Sequence, residues 1–173
     1  MKKILALVVS LTVISGVCAA VLAYVNQITK GPIAEMKKTQ EKAAIMAVMP
    51  EGVASVAEEG AYSVGRDSAG KVLGYAAKGS DAGGYGGDIV LMVGFKSDKK
   101  TVVCYKVLAA SETPGLGSNL TTPEFSGQFA GKDGSSLAVK KDGGEIEAIT
   151  SATITSRAVC RAIADAQKKL AAR

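Results

Sequence analysis

The sequence contains no histidine and no tryptophan, and its three cysteines lie far apart. Histidine is the usual general base near neutral pH and the commonest metal ligand, so its absence removes the standard starting point for both kinds of site. Cys18, Cys104 and Cys160 form no Cys-x-x-Cys pair, which argues against a zinc or four-cysteine iron–sulfur site. We therefore predict no catalytic residue and no metal site, and we expect Cys104 and Cys160 to be buried thiols rather than a disulfide.

Aromatic residues are scarce, at 5% of the chain, and the net charge of +5 is concentrated at the N-terminus. Residues 1–30 contain Lys2, Lys3 and Lys30 and no acidic residue. The rest of the chain contains 18 of the 21 basic residues and all 16 acidic ones, so its charge is nearly balanced. Single-stranded nucleic acids are bound on aromatic platforms and duplexes on basic faces. The composition therefore predicts no nucleic-acid partner.

The one long apolar run lies at the N-terminus, from Ile4 to Val25. Its length is about the ~20 residues that cross a bilayer as a helix. A cleaved signal peptide is the alternative, but its apolar region usually runs only about 7–15 residues. We predict a cytoplasmic tail and a retained transmembrane helix within residues 1–29. Because the short basic tail favours a cytoplasmic N-terminus, the domain is expected on the periplasmic or extracytoplasmic side of the cytoplasmic (inner) membrane.

The remaining sequence predicts an α+β fold, with a connecting helix in residues 30–52 and an antiparallel sheet and C-terminal helix in residues 53–173. The connecting helix is expected to begin at Pro32, because proline suits a first helical turn. The pattern predicts strands at 61–66, 71–78, 88–95 and 101–109, a flexible glycine-rich loop at 79–87, a hairpin of 137–140 with 145–149, and a helix at 152–171.

Two short stretches differ from ordinary connections. In Thr150–Ser156, five of seven residues carry hydroxyl groups where an extended segment gives way to a helix. They could cap the helix, or they could surround a phosphate bound to its free N–H groups. In Ser111–Gly117, Pro114 and Gly115 suit a tight turn, and the glycines would also let a flat ligand approach the backbone.

Four features of the chain, taken in order, resemble the FMN-binding domain family. They are the apolar span, the Gly84–Gly87 loop before a hydrophobic strand, the Glu112–Gly117 segment and the Ala148–Ser156 segment. Within that family the chain is similar to the G subunits of Rnf complexes. The resemblance covers nearly the whole chain and places the FMN-binding domain at residues 53–173.

The resemblance implies where FMN would bind. In the family, its phosphate is esterified to the last residue of a Ser/Thr-Gly-Ala-Thr motif, which Thr150, Ser151, Ala152 and Thr153 match except that serine replaces glycine. Thr153 is therefore the expected acceptor, and Thr155 is the alternative if the register differs. Glu147 stands where the family usually has an upstream aspartate. The expected contacts of the cofactor are Thr150, Ser151, Ala152, Thr155, Glu112, Thr113, Pro114, Gly115, Leu116, Gly117 and Tyr85.

The resemblance also implies a role and partners. A separate flavin transferase, using FAD and Mg²⁺, would attach the FMN, and the chain has no histidine with which to activate Thr153 itself. The subunit would pass electrons between iron–sulfur and flavin subunits of a membrane complex that couples ferredoxin:NAD⁺ oxidoreduction to Na⁺ or H⁺ translocation. The alternatives are the C subunit of a sodium-pumping NADH:quinone oxidoreductase and a flavin-free, anchored extracytoplasmic binding domain.

Overall fold

The computed structural model describes residues 2–172. Its elements are α1 (Lys2–Val48), β1 (Ser55–Glu59), β2 (Tyr62–Arg66), β3 (Val72–Gly84), β4 (Gly87–Lys96), β5 (Val102–Ala109), α2 (Pro123–Ser126) and α3 (Thr153–Ala171), with short 3₁₀ helices at Gly117–Thr121, Gly127–Phe129 and Lys140–Asp142. The chain divides into two compact units, one ending at Gln40 and the other beginning at Glu41. The predicted α+β class and the C-terminal helix are confirmed.

The first unit is helical, and its apolar side chains are exposed. The apolar part of α1 is long enough and hydrophobic enough to cross a membrane. The prediction that a new helix begins at Pro32 is wrong, because α1 has this proline in its interior. A proline there removes one backbone hydrogen bond of the helix but does not end it here.

The second unit is built on a five-stranded antiparallel sheet with the strand order β1-β2-β3-β4-β5. Alternate residues of β4 face opposite sides. Leu91 and Val93 belong to the main core with α3, whereas Met92 belongs to a smaller cluster with Ala44 and Val48 at the C-terminal end of α1. β4 is therefore buried on both sides, by α3 on one and by Ala44 and Val48 on the other, which accounts for its nearly continuous apolar sequence.

The glycine-rich segment 79–87 is not the flexible loop that its composition predicts. β3 and β4 extend through most of it and pair as far as Gly84 with Gly87, so that only Tyr85 and Gly86 form the turn. The extension is fastened to α3, because Arg161 donates two hydrogen bonds of 2.8 Å to the Asp81 carboxylate on β3.

Two further predictions need correction. The late hairpin of 137–140 with 145–149 is absent; Val139 and Ile146 form a single parallel bridge, and Lys140–Asp142 is a 3₁₀ turn. The Gly143 N–H donates to the Lys140 carbonyl, so Lys140 is held in the 3₁₀ turn rather than in a strand. β1 was not predicted, since it is an edge strand whose residues are mostly exposed and give little apolar alternation. Cys104 and Cys160 are free thiols, with Cys160 buried in the core and Cys104 partly buried.

Candidate functional site

A cavity of about 430 Å³ lies at the N-terminal end of α3. Three stretches that are far apart in sequence form its wall, namely the β3–β4 turn, the segment after β5, and the first turn of α3. The lining residues are Tyr85, Glu112, Thr113, Leu116, Gly117, Ser151, Ala152, Thr153, Ile154 and Thr155. The fold therefore brings the two unusual sequence stretches to one place.

Most of the residues predicted to contact a cofactor line this cavity, and two more line a neighbouring one. Gly115 and Thr150 face an adjoining cavity of about 500 Å³, which shares Leu116 and Ser151 with the first. Pro114 is exposed and lines neither cavity. The two cavities therefore adjoin at Leu116 and Ser151.

Sequence reasoning missed Ile154, which lines the first cavity and is 49% exposed. Leu116 is 42% exposed and Tyr85 72% exposed, so three large apolar side chains lie open to solvent around one cavity. The helical pattern could have indicated this exposure. Ile154 lies in the first turn of an amphipathic helix and off its buried stripe, and such a residue faces away from the core. The stripe consists of Val159, Ile163, Ala166 and Leu170.

Glu112 connects the three stretches that form the wall. One of its carboxylate oxygens accepts a hydrogen bond of 2.8 Å from the Thr155 hydroxyl, and the other accepts one of 3.3 Å from the Gly86 N–H. The contacts are close: a Cβ at Gly86 would lie 1.8 Å from the carbonyl oxygen of Ser111, and a Cβ at Gly117 would lie 2.4 Å from Glu112 Oε2. Only residues without a side chain fit at these two positions.

The two candidate acceptor hydroxyls have different surroundings. Thr155 is buried, with 1% of its surface exposed, and its hydroxyl donates to Glu112. Thr153 is partly exposed, and its Oγ1 lies 3.5 Å from the Nζ of Lys141. Of the two, Thr153 has the hydroxyl that a reagent from solvent can reach.

The start of α3 offers free hydrogen-bond donors to the cavity. The N-cap residue is Ala152, and no side chain caps the helix. The Ser156 hydroxyl donates to the Ala152 carbonyl and accepts from the Ile149 N–H, both at 3.0 Å. The N–H groups of the first turn have no acceptor within a helix, and the helix dipole makes them suited to an anion. The structure therefore does not support capping as the reason for the run of hydroxyl residues.

Within residues 2–172, no cluster of three or more acidic or cysteine side chains is placed to hold a metal ion. The chemistry of the cavity is instead that of an anion site beside an apolar rim. Helix N–H groups, a lysine and an accessible hydroxyl lie at one end, and exposed Tyr85, Leu116 and Ile154 surround it.

Comparison with known proteins agrees with this geometry. Residues 84–168 match the FMN-binding domain family. The G subunit of the ion-translocating oxidoreductase complex of Methanosarcina acetivorans is 36% identical, with 94% of this chain and 92% of that protein covered. The G subunit of the proton-translocating ferredoxin:NAD(+) oxidoreductase complex of Clostridium ljungdahlii is 31% identical, with coverage of 98% and 92%. The chain belongs to the G-subunit family. It has the FMN-binding domain of that family at residues 84–168.

One solved structure supports the fold of this G-subunit family member. NqrC of Shewanella oneidensis superimposes with a TM-score of 0.51 over 74% of this chain and 73% of that chain, at 21% identity. At that identity the likeness concerns the fold alone. The match to the G subunits, by contrast, is one of sequence over nearly the full length of both chains.

Ser151 stands where the resemblance described above leads one to expect glycine, and its backbone conformation is one that favours glycine. Ser151 has a φ of +62°, in the left-handed region, where a side chain on Cβ is disfavoured by about 1–2 kcal/mol. The residue turns the chain from the extended segment into α3, immediately before the N-cap. Serine is therefore tolerated here at a cost in backbone strain.

We expect Ser151→Gly to stabilise this G-subunit family member by about 0.5–1 kcal/mol. The substitution removes the strain at positive φ, and this gain is partly offset by the greater freedom of glycine in the unfolded chain. Chemical unfolding of the full chain in detergent, followed by circular dichroism, measures the effect. Ser151→Ala keeps a Cβ and is the control, with no gain expected; equal stabilisation by both variants would contradict the explanation.

Proposed function

We propose that the chain is an electron-transfer subunit of a membrane ferredoxin:NAD⁺ oxidoreductase (Rnf) complex and that it carries FMN through a phosphoester bond to Thr153. The observation that carries the proposal is the accessible Thr153 hydroxyl at an uncapped helix start, inside a cavity with an apolar rim. The proposed membership of the complex rests on the relatives named above, and the proposed site rests on the residues of this chain.

The residues fit an FMN group in two respects. A phosphate needs hydrogen-bond donors and positive charge, which the first turn of α3 and Lys141 provide. An isoalloxazine ring has apolar faces and a polar edge, and the rim of Tyr85, Leu116 and Ile154 beside Glu112 offers both kinds of surface. When bound, the flavin supplies one- and two-electron chemistry.

The chain contributes attachment and orientation. Thr153 Oγ1 would attack the FMN-side phosphorus of FAD, so that a new oxygen–phosphorus bond forms, the pyrophosphate bond breaks, AMP leaves, and the hydroxyl proton passes to a general base of the transferase. Because the sequence contains no histidine, we assign that base and Mg²⁺ to a separate flavin transferase. Thr155 instead holds Glu112 and so maintains the wall of the cavity.

The apolar part of α1 supports attachment to the membrane, where the flavin would exchange electrons with iron–sulfur and flavin subunits of the same complex. We place the domain on the periplasmic or extracytoplasmic side, because a short basic tail precedes the apolar run. Protease added to intact spheroplasts should then digest the domain; protection there, with digestion only after lysis, would reverse the orientation.

The decisive test of the flavin site is the mass of the mature protein. The full-length chain is co-expressed with a flavin transferase, purified in detergent, and examined by intact mass spectrometry and in-gel flavin fluorescence. We expect the mass to rise by that of one FMN less one water, with the adduct on the peptide containing Thr153. A protein of unmodified mass and without fluorescence would favour the flavin-free binding domain.

A further inference from the structure

Three cations lie close to the start of α3, and two of them are already paired. Lys140 forms an ion pair with Glu147, and Arg157 forms a two-fold ion pair with Asp142 at 2.6 and 2.7 Å. Lys141, between them, takes part in none of the ion pairs found among residues 2–172. Its ammonium group is instead 3.5 Å from Oγ1 of Thr153.

The backbone of Lys141 is held in place by the turn around it. The residue is the middle of the 3₁₀ helix, in which the Asp142 N–H donates to the Val139 carbonyl at 2.8 Å and the Gly143 N–H donates to the Lys140 carbonyl at 3.1 Å. This turn takes the place of the hairpin that the sequence predicts, and the ion pair of Asp142 with Arg157 connects it to α3.

The Asp142–Arg157 pair joins this turn to α3. The hydrogen bonds from Arg157 hold the pKa of the Asp142 carboxyl below its usual range. A guanidinium that donates two parallel hydrogen bonds fixes geometry as well as charge. The neighbour of Lys141 is thereby fixed to the helix that begins at Thr153.

We propose that Lys141 is a positioning residue that binds the phosphate of the flavin nucleotide attached to Thr153. The inference rests on the proposed ester at Thr153. A phosphodiester would keep one negative charge, and its free oxygens would lie two bonds from Oγ1, within reach of an ammonium group 3.5 Å from that atom. Lys141 thus completes an anion site whose other donors are the N–H groups of α3, and it neutralises the charge at the moment of transfer and afterwards.

The first experiment measures the accessibility of the Lys141 amine. Full-length protein matured with the flavin transferase and the Thr153→Ala variant are labelled briefly with an amine-acylating reagent, and the labelled peptides are quantified by mass spectrometry. We expect labelling of Lys141 to fall by roughly threefold or more in the matured protein, because a charge-assisted hydrogen bond protects it. Lys140, paired with Glu147, is the internal control and should label equally in both. Equal labelling of Lys141 in both proteins overturns the inference.

The second experiment separates an ionic contact from shielding by the bulk of the flavin. Lys141→Gln and Lys140→Gln make the same charge change one residue apart, on exposed side chains. We expect Lys141→Gln to shift the ³¹P resonance of the ester and to slow FMN transfer by about three- to tenfold. Lys140→Gln should do neither, and Lys141→Arg should restore the transfer rate.

The outcomes distinguish this inference from the proposed function. If the wild-type chain gains no FMN, the proposed ester is wrong and Lys141 loses its ligand. If the wild type gains FMN, but Lys141→Gln has the ³¹P resonance and transfer rate of Lys140→Gln, the ester stands and the role of Lys141 is refuted. Unchanged thermal unfolding of both variants would show that neither result stems from lost stability.

Discussion

Replacement of Thr153 by alanine is expected to remove covalent FMN completely. The substitution deletes the one hydroxyl that lines the cavity, is accessible to solvent and stands at the uncapped start of α3. Intact mass spectrometry after co-expression with a flavin transferase should show only the unmodified chain, and in-gel fluorescence should be lost. The loss is expected to be complete because Thr153 begins α3, whereas the exposed Ser151 precedes the N-cap residue and Thr155 is buried.

Two variants provide controls for this loss. Thr153→Ser keeps a hydroxyl on the same carbon and should retain the adduct. Thr155→Ala deletes the neighbouring hydroxyl, which is buried and bonded to Glu112, and should lower the yield without abolishing the adduct. An adduct that survives in Thr153→Ala and disappears in Thr155→Ala would move the ester to Thr155.

Gly79→Ala is expected to destabilise the fold strongly. Gly79 is buried on β3, where α3 crosses so closely that a Cβ would lie 1.9 Å from the carbonyl oxygen of Ala162 and 2.9 Å from the backbone nitrogen of Ala166. Both are backbone atoms of a helix and cannot turn aside. α3 must therefore move away from the sheet, and we expect a loss of about 2–4 kcal/mol in the free energy of unfolding.

Chemical unfolding of the full chain measures this loss, and Gly127→Ala is the matched control. Gly127 has a helical φ of −64°, and a Cβ there would meet nothing within 4 Å. We expect the control to be neutral or to stabilise by up to about 1 kcal/mol, because alanine restricts the unfolded chain. Similar losses in both variants would show that close packing of α3 on β3 is not the cause. Because α3 carries Thr153, Gly79→Ala should also reduce FMN attachment.

The sequence was sufficient for the fold class because its strongest signals are periodic. The apolar run of α1, the continuous apolar strand β4 and the stripe of α3 each depend on residues close together in the chain. The prediction of a flexible loop at 79–87 was wrong because it used only local composition. Its glycines suggest flexibility, yet they serve a strand that must let α3 approach, a requirement set by residues about 80 positions later.

Part of the candidate site could be predicted from local sequence motifs. Local motifs indicated Thr153 and the Glu112–Gly117 segment, and the fold places both on one cavity. The Glu112–Thr155 hydrogen bond and the proximity of Lys141 to Thr153 could not be read from spacing. Each joins the start of α3 to a segment that is distant in the chain, and no short-range pattern encodes such a contact.

The strand order has a consequence for how such a protein is made. A sheet ordered β1-β2-β3-β4-β5 can form hairpin by hairpin as the chain emerges, since each strand pairs with the one just synthesised. The face of that sheet on which α3 packs is not fully covered until α3 has been synthesised, because α3 follows all five strands in the chain. The threonine that opens α3 acquires its surroundings only then. An enzyme that recognises the finished cavity would therefore not modify nascent or truncated chains. Only fully folded chains would carry the modification.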